Sequence, residues 1–345
     1  MLKSFKTELR LTESQKDKVR RSLGICRFLA NQYIARNIWL YRLYQRGVLE
    51  EKQPHFVTAN DFDKYVNHRL KKRSSWIDQC GSKVRLKEFG YLPQGVTIKN
   101  GHVSYEAGRY YVSVTAEIEE TSRYNNDLEA SYHPQSDGIG VDLGVKSLAI
   151  VSDGRIFENI NTSSRVRRLE KRLRREQRRL NRKYEMRKKK GGSTATASAN
   201  IEEKRLSVQR LHQRLVNLRR NHENQVIYAL VEQKSRFITV EDLNVTGMMK
   251  NRHLSKVVAQ QRFYSLREKL WRKAGVIGIE FRIADRFYPS SKTCHACGHV
   301  HSGLKLKDRV YVCPACGFTE DRDLNAALNL RDTKNYRIAD SRFHI

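Results

Sequence analysis

Positions 5, 7, 9 and 11 (Phe5, Thr7, Leu9, Leu11) alternate with polar residues at the start of the chain, the period-two pattern of a short strand. Thr12 followed by Gln15 matches a capping box and opens a helical stretch to about Arg46. That stretch sets Leu23, Phe28, Tyr33, Ile34, Trp39, Tyr41 and Tyr44 among arginines, and most of these are expected in a core. Aromatics between basic residues also suit stacking on nucleic-acid bases. Helical pattern resumes at about 60–80. From about 84 to 119 the period returns to two: Val96 and Ile98 precede Asn100-Gly101, a type I′ hairpin signal, and Tyr110, Val112, Val114, Ala116 and Ile118 alternate after it. These strands form a small β module, barrel-like, which the first strand can join with the helices of 12–80 as an insertion. Residues 121–137 read as a polar linker.

A second region begins with GIGVDLGVKSLAIVSDGRIF at 138–157, two or three short strands parted by glycine turns. Val166, Leu169, Leu173 and Leu180 then follow a heptad-like spacing, as do Val208, Leu211, Leu215 and Leu218. Between them GGSTATASAN, 191–200, is a bland turn, so the pair predicts an antiparallel helical hairpin. Strand pattern returns in RFITVEDL, 236–243, and near 276–283. Helical pattern fills about 254–274, and a last helix runs from near Asp321 to about Arg331. No tandem repeat is visible.

Charge changes the picture. The 345 residues hold 67 lysines and arginines against 37 aspartates and glutamates, a net +30. The hydrophobic share of 39% is enough for real cores. A folded surface this basic calls for a polyanion, and nucleic acid is the default partner. The excess peaks at 163–190, with fifteen lysines and arginines against Glu170, Glu176 and Glu185, a net +12. As a helix that segment is about 42 Å long and is expected to contact phosphates. No apolar run reaches the roughly 20 residues of a membrane span, and MLKSFKTELR lacks a signal-peptide core.

Four of the six cysteines, Cys294, Cys297, Cys313 and Cys316, form C-x2-C-x15-C-x2-C. Two residues between thiols let a knuckle turn aim both at one ion, and Gly298 and Gly317 permit the tight wrap. Four thiolates make a closed, structural zinc site. His295, His299 and His301 are then not needed as ligands. Cys26 and Cys80 read as buried small apolar residues. This cysteine usage fits a reducing, intracellular compartment.

Carboxylates supply the candidate chemistry. On 138–143, Asp142 points away from the face of Ile139, Val141 and Leu143, between glycines that leave room for a bulky substrate. On 236–243, alternation alone does not choose between Glu241 and Asp242. In DRDLNAALNL, Asp321 looks like an N-cap, while Asp323, Ala326, Ala327 and Leu330 share a helical face. The two alanines would let that helix lie close to a sheet and bring Asp323 to the strand carboxylates. Carboxylates from two strands and a helix suit two magnesium ions about 3.5–4 Å apart, the arrangement for phosphoryl transfer.

GIGVDLGVKSLAIVSDG, ITVEDLNVTGMMKN, YPSSKTCHACG and VCPACGFTEDRDLNAALNL, in this order across 138–330, resemble the TnpB family. These are transposon-encoded, RNA-guided nucleases related to type V CRISPR effectors. The resemblance implies an α/β fold: an RNase H-like (RuvC) core with a zinc ribbon and a helical hairpin insertion, plus an N-terminal small β-barrel-like (wedge) module with inserted helices. The corresponding divisions are the wedge at 1–11 and 81–120, a helical recognition insertion at 12–80 and the linker 121–137. The core takes 138–290 and 318–332 with the hairpin 163–233, the ribbon 291–317 and a tail 333–345. The resemblance places the catalytic, magnesium-binding carboxylates at Asp142, Glu241 and Asp323, and the zinc ligands at the four cysteines. It implies a guide RNA from the protein's own element, a double-stranded DNA target beside a short adjacent motif, and a cytoplasmic, nucleoid-associated place in a prokaryotic host. Three other readings compete: a guided repressor without cleavage, a transposase acting on element ends, and a zinc-ribbon RNA-binding protein without chemistry. Three retained carboxylates argue against the first, and the last leaves the carboxylate frame unaccounted for.

Overall fold

The computed structural model describes residues 2–48, 57–58, 85–87, 96–118, 137–191, 198–305 and 307–339. The expected helices of 60–80, the linker 121–136, Cys80, the side chain of Cys26 and the hairpin tip 192–197 lie outside the described residues. The chain divides into two units, Met1–Glu119 and Glu120–Ile345.

In the first unit, β1 (Leu2–Arg10), β2 (Arg85–Leu86), β3 (Thr97–Glu106) and β4 (Arg109–Glu117) form an antiparallel sheet in the order β2-β1-β4-β3. The alternation predicted for 110–118 holds, with Tyr110, Val114, Ala116 and Ile118 buried. Between β1 and β2 leaves α1 (Glu13–Gln45), opened by the expected capping box: Gln15 N donates to Thr12 Oγ1 and Thr12 N to Gln15 Oε1. Arg20 Nε donates to the Tyr110 hydroxyl at 3.0 Å and ties α1 to the sheet. Phe28, Trp39 and Tyr41 are exposed on α1, not in a core. The Asn100-Gly101 turn is not formed. Those residues lie inside β3, beside a register shift between Ile98 and Asn100, and the chain reverses at Ala107-Gly108, both at positive φ. The long alternation of β3 against β4 outweighs one favourable turn dipeptide, and an alanine accepts the left-handed conformation instead.

The second unit is built on a six-stranded mixed sheet. Its strands are β5 (Ile139–Asp142), β6 (Ser147–Val151), β7 (Ile156–Glu158), β8 (Phe237–Val240), β9 (Glu280–Ala284) and β12 (Tyr336–Ile338), in the order β12-β9-β8-β5-β6-β7. β5, β6 and β7 are antiparallel neighbours, whereas β5, β8 and β9 run parallel. That is the strand plan of an RNase H-like α/β core. The crossover from β7 to β8 carries α2 (Ser164–Lys189) and α3 (Ala199–Val231), paired through Val166, Leu169, Leu173, Leu180, Val208, Leu211 and Leu215. The end of α3 and α6 (Phe263–Ile277) bury Val226, Leu230, Phe263, Leu266 and Leu270 against one face of the sheet.

Three elements differ from expectation. The stretch 254–274 splits into α5 (Ser255–Gln261) and α6 at Arg262, which adopts φ 58°, and α4 (Val245–Lys250) precedes them. α6 runs on to Ile277, and Gly278 at φ 88° stops it, so the strand begins only at Glu280. The tail is not wholly a tail: β12 pairs antiparallel with β9 and closes that edge of the sheet. A two-stranded hairpin, β10 (Val310–Val312) and β11 (Thr319–Asp321), leads into α7 (Arg322–Asp332), which covers the other face of the sheet.

Candidate active site and metal centre

The close contact between α7 and β5 explains where the carboxylates go. A Cβ on Gly140 would lie 2.0 Å from the Ala327 carbonyl oxygen and 2.4 Å from Arg331 N. The helix backbone rests directly on the glycine, and Ala326, Ala327 and Leu330 are buried in the seam. Here the glycine reading is corrected: the space beside Gly140 is filled by α7, and that beside Gly138 by the Phe237 ring, so neither is left for substrate. Asp142 ends β5, on the face that α7 covers. Parallel pairing sets Val141 opposite Val240, so Asp142 and Glu241 follow side by side at the carboxyl ends of β5 and β8. Asp323 sits in the first turn of α7, where the Asp321 carboxylate caps the helix by accepting from Asp323 N and Leu324 N.

The electrostatics match this placement. The Asp142 carboxyl is held well above its ordinary pKa, first by burial and then by the negative charges of Glu241 and Asp323, with Arg322 opposing. Burial also raises Glu241, with Asp242 adding to it. Among the described residues, neither the Asp142 nor the Glu241 carboxylate makes a hydrogen bond or ion pair with a protein group. Asp323, among the described residues, has only the Arg309 guanidinium at 3.8 Å as an ion-pair partner. Asp242 goes the other way. It is 11% exposed and accepts from Arg267 at 2.9 Å and Arg286 at 2.9 Å, with Arg337 at 3.5 Å. So of the two acids that alternation left open, Asp242 is neutralised by arginines and Glu241 shares a site with Asp142. Three such oxygen donors suit a hard divalent cation, which would offset their mutual repulsion.

The four cysteines converge. Their Sγ atoms all lie within 4.8 Å of one another, with Cys294–Cys316 at 3.7 Å and Cys297–Cys313 at 3.6 Å. Tetrahedral thiolates at the usual zinc–sulfur distance of about 2.3 Å stand about 3.8 Å apart, so one metal ion fits. Gly298 and Gly317 take φ 75° and 73° at the ends of the knuckles. Sequence reasoning missed how the ribbon is fastened. Asn325 Nδ2 donates to Thr293 O, and its Oδ1 accepts from His295 N. Asn329 Nδ2 donates to Ser290 O and Thr293 O. Arg322 donates to the carbonyls of Lys305 and Asp308. Two asparagines four apart on one helical face were the signal available in the sequence.

The α2–α3 hairpin sorts its charges. Glu176 is buried against Lys204 and Arg179, and Glu170 accepts from Arg219 and Gln260. Arg165, Arg167, Arg168, Lys171, Arg172, Arg175, Arg178 and Arg182 remain exposed. The acids are largely spent inward, and the outward face is almost unopposed positive charge.

Comparison with known proteins bears on all three features. Residues 113–252 match the family model OrfB_IS605, "Probable transposase", and 263–330 match "Cas12f1-like, TNB domain". Residues 1–46 match "Helix-turn-helix domain", although the described part of that span is one strand and one long helix. "Putative RNA-guided DNA endonuclease InsQ" of Escherichia coli (strain K12) is 26% identical over 95% of this chain and 91% of its own length. A "Putative RNA-guided DNA endonuclease" of Streptomyces pristinaespiralis is 32% identical over 69% of this chain, which spans about half (54%) of that relative. "CRISPR-associated endodeoxyribonuclease Cas12f1" of Sulfoacidibacillus thermotolerans is 28% identical over 36% of this chain and 29% of its own.

Proposed function

Since the chain belongs to the TnpB family, related to Cas12f, we propose that it is a transposon-encoded, RNA-guided DNA endonuclease whose catalytic residues are Asp142, Glu241 and Asp323. The observation that carries this reading is the meeting of three carboxylates at one edge of the sheet, two of them without a hydrogen-bond or ion-pair partner among the described residues and pushed toward protonation. Such a site is electrostatically unfavourable unless cations occupy it.

In this reading Asp142, Glu241 and Asp323 hold magnesium, two ions in all. Bound there, the ions supply an activated water and charge stabilisation for phosphodiester hydrolysis. The protein's own part is positioning. β5 and β8 fix Asp142 and Glu241 through paired backbone, and the Asp321 cap orients the helical turn that carries Asp323. Arg309 and Arg322 lie close enough to offset negative charge in the site. Cys294, Cys297, Cys313 and Cys316 hold one zinc ion with no open position, a structural role. The outward face of α2 binds guide RNA or the guide–target duplex by its backbone, while base pairing reads sequence. The host is prokaryotic and the working place its cytoplasm. Among the described residues, no helix is long and apolar enough to cross a membrane.

The test begins with purification from cells carrying the native locus and sequencing of the bound RNA. Magnesium-dependent cleavage is then assayed on a plasmid that matches that RNA beside a randomised flank. Cleavage next to one short motif is expected. Target binding without cleavage would instead mean a guided repressor. The transposase reading rests on the description of the matching family model, and strand joining at element ends without any bound RNA would establish it.

A further inference from the structure

Asp142 stands where its strand runs out of partners. Toward β8 the parallel pairing ends at Val141 and Val240, one residue short of it. Toward β6 it makes the last antiparallel pair, with Ile150. Beyond it the chain turns through residues 143–146 before β6 begins at Ser147. A backbone bond from Gly144 N to Leu148 O, at 3.3 Å, closes that turn. Where the Asp142 carboxylate stands therefore depends on what holds the turn.

Two buried amides hold it from outside. Gln261, the last residue of α5, is 5% exposed. Its Nε2 donates to Gly144 O at 3.3 Å and to Val145 O at 3.1 Å. Asn159 Nδ2 donates to Val145 O at 2.9 Å. Asn159 has a second task, because its Oδ1 accepts from Asn161 N and caps the short helical turn Ile160–Thr162. That task explains its burial. Gln261 caps no helix, and the two N–H groups of its amide match two successive carbonyls of the turn after Asp142.

The backbone beside Gln261 is strained. α5 stops there because Arg262 takes φ 58° and ψ 37°, a left-handed conformation that crowds any residue with a β-carbon. Arg262 is kept in it by Ser265 Oγ at 3.2 Å and the Glu223 carboxylate at 3.5 Å. Strain of this kind persists where the surroundings over-determine a position, and it gathers near working sites. The side chain it aims here is that of Gln261.

We propose that Gln261 is a positioning residue for Asp142: by fixing the carbonyls of Gly144 and Val145, it sets the place at which the Asp142 carboxylate meets a divalent cation. This rests on the reading of Asp142 as a cation ligand. Magnesium demands near-ideal octahedral geometry, so it feels a small displacement of one ligand. Loss of a group that orients a ligand lowers metal affinity by about 10–100-fold.

The experiment titrates manganese, a paramagnetic substitute for magnesium, into the purified chain freed of nucleic acid. Free ion is read by electron paramagnetic resonance. The parent should show binding that Asp142→Asn removes. Gln261→Met, close in size but without the N–H groups, should weaken that binding about tenfold. Gln261→Asn keeps the amide but falls one methylene short. It should weaken binding as much, and it decides the matter should Gln261→Met not fold. Gln261→His, which keeps an N–H at a similar reach, should bind as the parent does. Leu215→Ala, in the α2–α3 seam, gauges plain destabilisation and should lower Tm while leaving manganese binding unaltered. Unweakened binding in Gln261→Met or Gln261→Asn overturns the proposal and leaves the carboxylate reading intact. So does an equal weakening in Leu215→Ala, which would make the effect one of stability alone. Manganese binding in the parent that Asp142→Asn leaves untouched overturns the carboxylate reading itself, and the proposal falls with it.

Discussion

Gly140→Ala is the most direct test of how the carboxylate site is assembled. One added methyl group would stand 2.0 Å from the Ala327 oxygen and 2.4 Å from Arg331 N, where real Cβ atoms essentially never come within 3.0 Å. Both neighbours are backbone atoms of α7, so no rotamer change relieves the clash and the helix must withdraw by about 1 Å. Overpacking of this kind costs about 1–3 kcal/mol, and a backbone clash belongs at the upper end. In a unit of this size each 1 kcal/mol lowers Tm by about 2–4 °C, which gives a fall of about 6–12 °C. Asp323 rides on the same helix, and a displacement near 1 Å at a reacting centre can cost about a hundredfold in rate. Thermal unfolding followed by circular dichroism reads the first effect. Single-turnover cleavage, run well below the lowered midpoint, reads the second. Gly275→Ala is the control: it lies in α6 with nothing within 4 Å of its added methyl, and should be neutral or gain up to about 1 kcal/mol. A Gly140→Ala protein that melts within 2 °C of the parent and cuts at the parent rate would refute the close seating of α7.

The raised carboxyl of Asp142 gives a pH signature. The native state keeps that proton where the unfolded chain has lost it, so stability falls as pH rises from the ordinary value of 3.8 toward the raised one, and Glu241 acts in the same sense above 4.5. In chelator, Asp142→Asn should therefore gain in melting temperature over the parent, by a margin that grows with pH across that window, and magnesium should lift the parent more than the variant; a margin that shrinks with pH would sink the argument. Cys313→Ser should abolish the zinc binding proposed for the four cysteines, measured by atomic absorption, and lower Tm with it; full zinc retention would exclude a four-cysteine site. Replacing Arg168, Arg172, Arg175 and Arg182 with glutamine should flatten the dependence of log affinity for nucleic acid on log salt by up to about 3.6, at roughly 0.9 per lost phosphate contact. An unaltered slope would make the outward face of α2 mere solvated surface.

What was legible in the sequence was whatever a local period or spacing encodes. The hairpin α2–α3 was visible because its seam repeats Val166, Leu169, Leu173 and Leu180 against Val208, Leu211 and Leu215. The cysteine convergence was visible because two C-x2-C knuckles need only one turn each. Strand β12 was not, since three residues on a sheet edge carry no period, and β9 alone decides their pairing. The turn at Ala107-Gly108 was missed because an alanine in the left-handed region is set by the strands around it, not by its own preference. The bend at Arg262 is of the same kind. The choice between Glu241 and Asp242 lies beyond alternation altogether. It depends on arginines at 267, 286 and 337, distant in sequence, that meet Asp242 only in the fold.

The same geometry explains why the ribbon sits beside the carboxylates. The negative charges of Glu241 and Asp323 bear on Asp142 and help hold its carboxyl above the ordinary value, so the carboxylate of α7 is seated at an electrostatic cost. Packing of Ala326, Ala327 and Leu330 on Gly140 holds α7 to the sheet from below. From above, Asn325 and Asn329 bind the carbonyls of Thr293 and Ser290 at the first knuckle, and Arg322 binds those of Lys305 and Asp308. Each asparagine is nearly fully buried, so losing its partner would strand a polar group at a cost of about 1–3 kcal/mol. The clamp therefore works only while the knuckles hold their shape, which an ion bound by the four thiolates would secure. On the proposed reading, a metal with no open coordination position would in this way bear on a reaction it never touches: by fixing α7, it would hold Asp323 in its place beside Asp142.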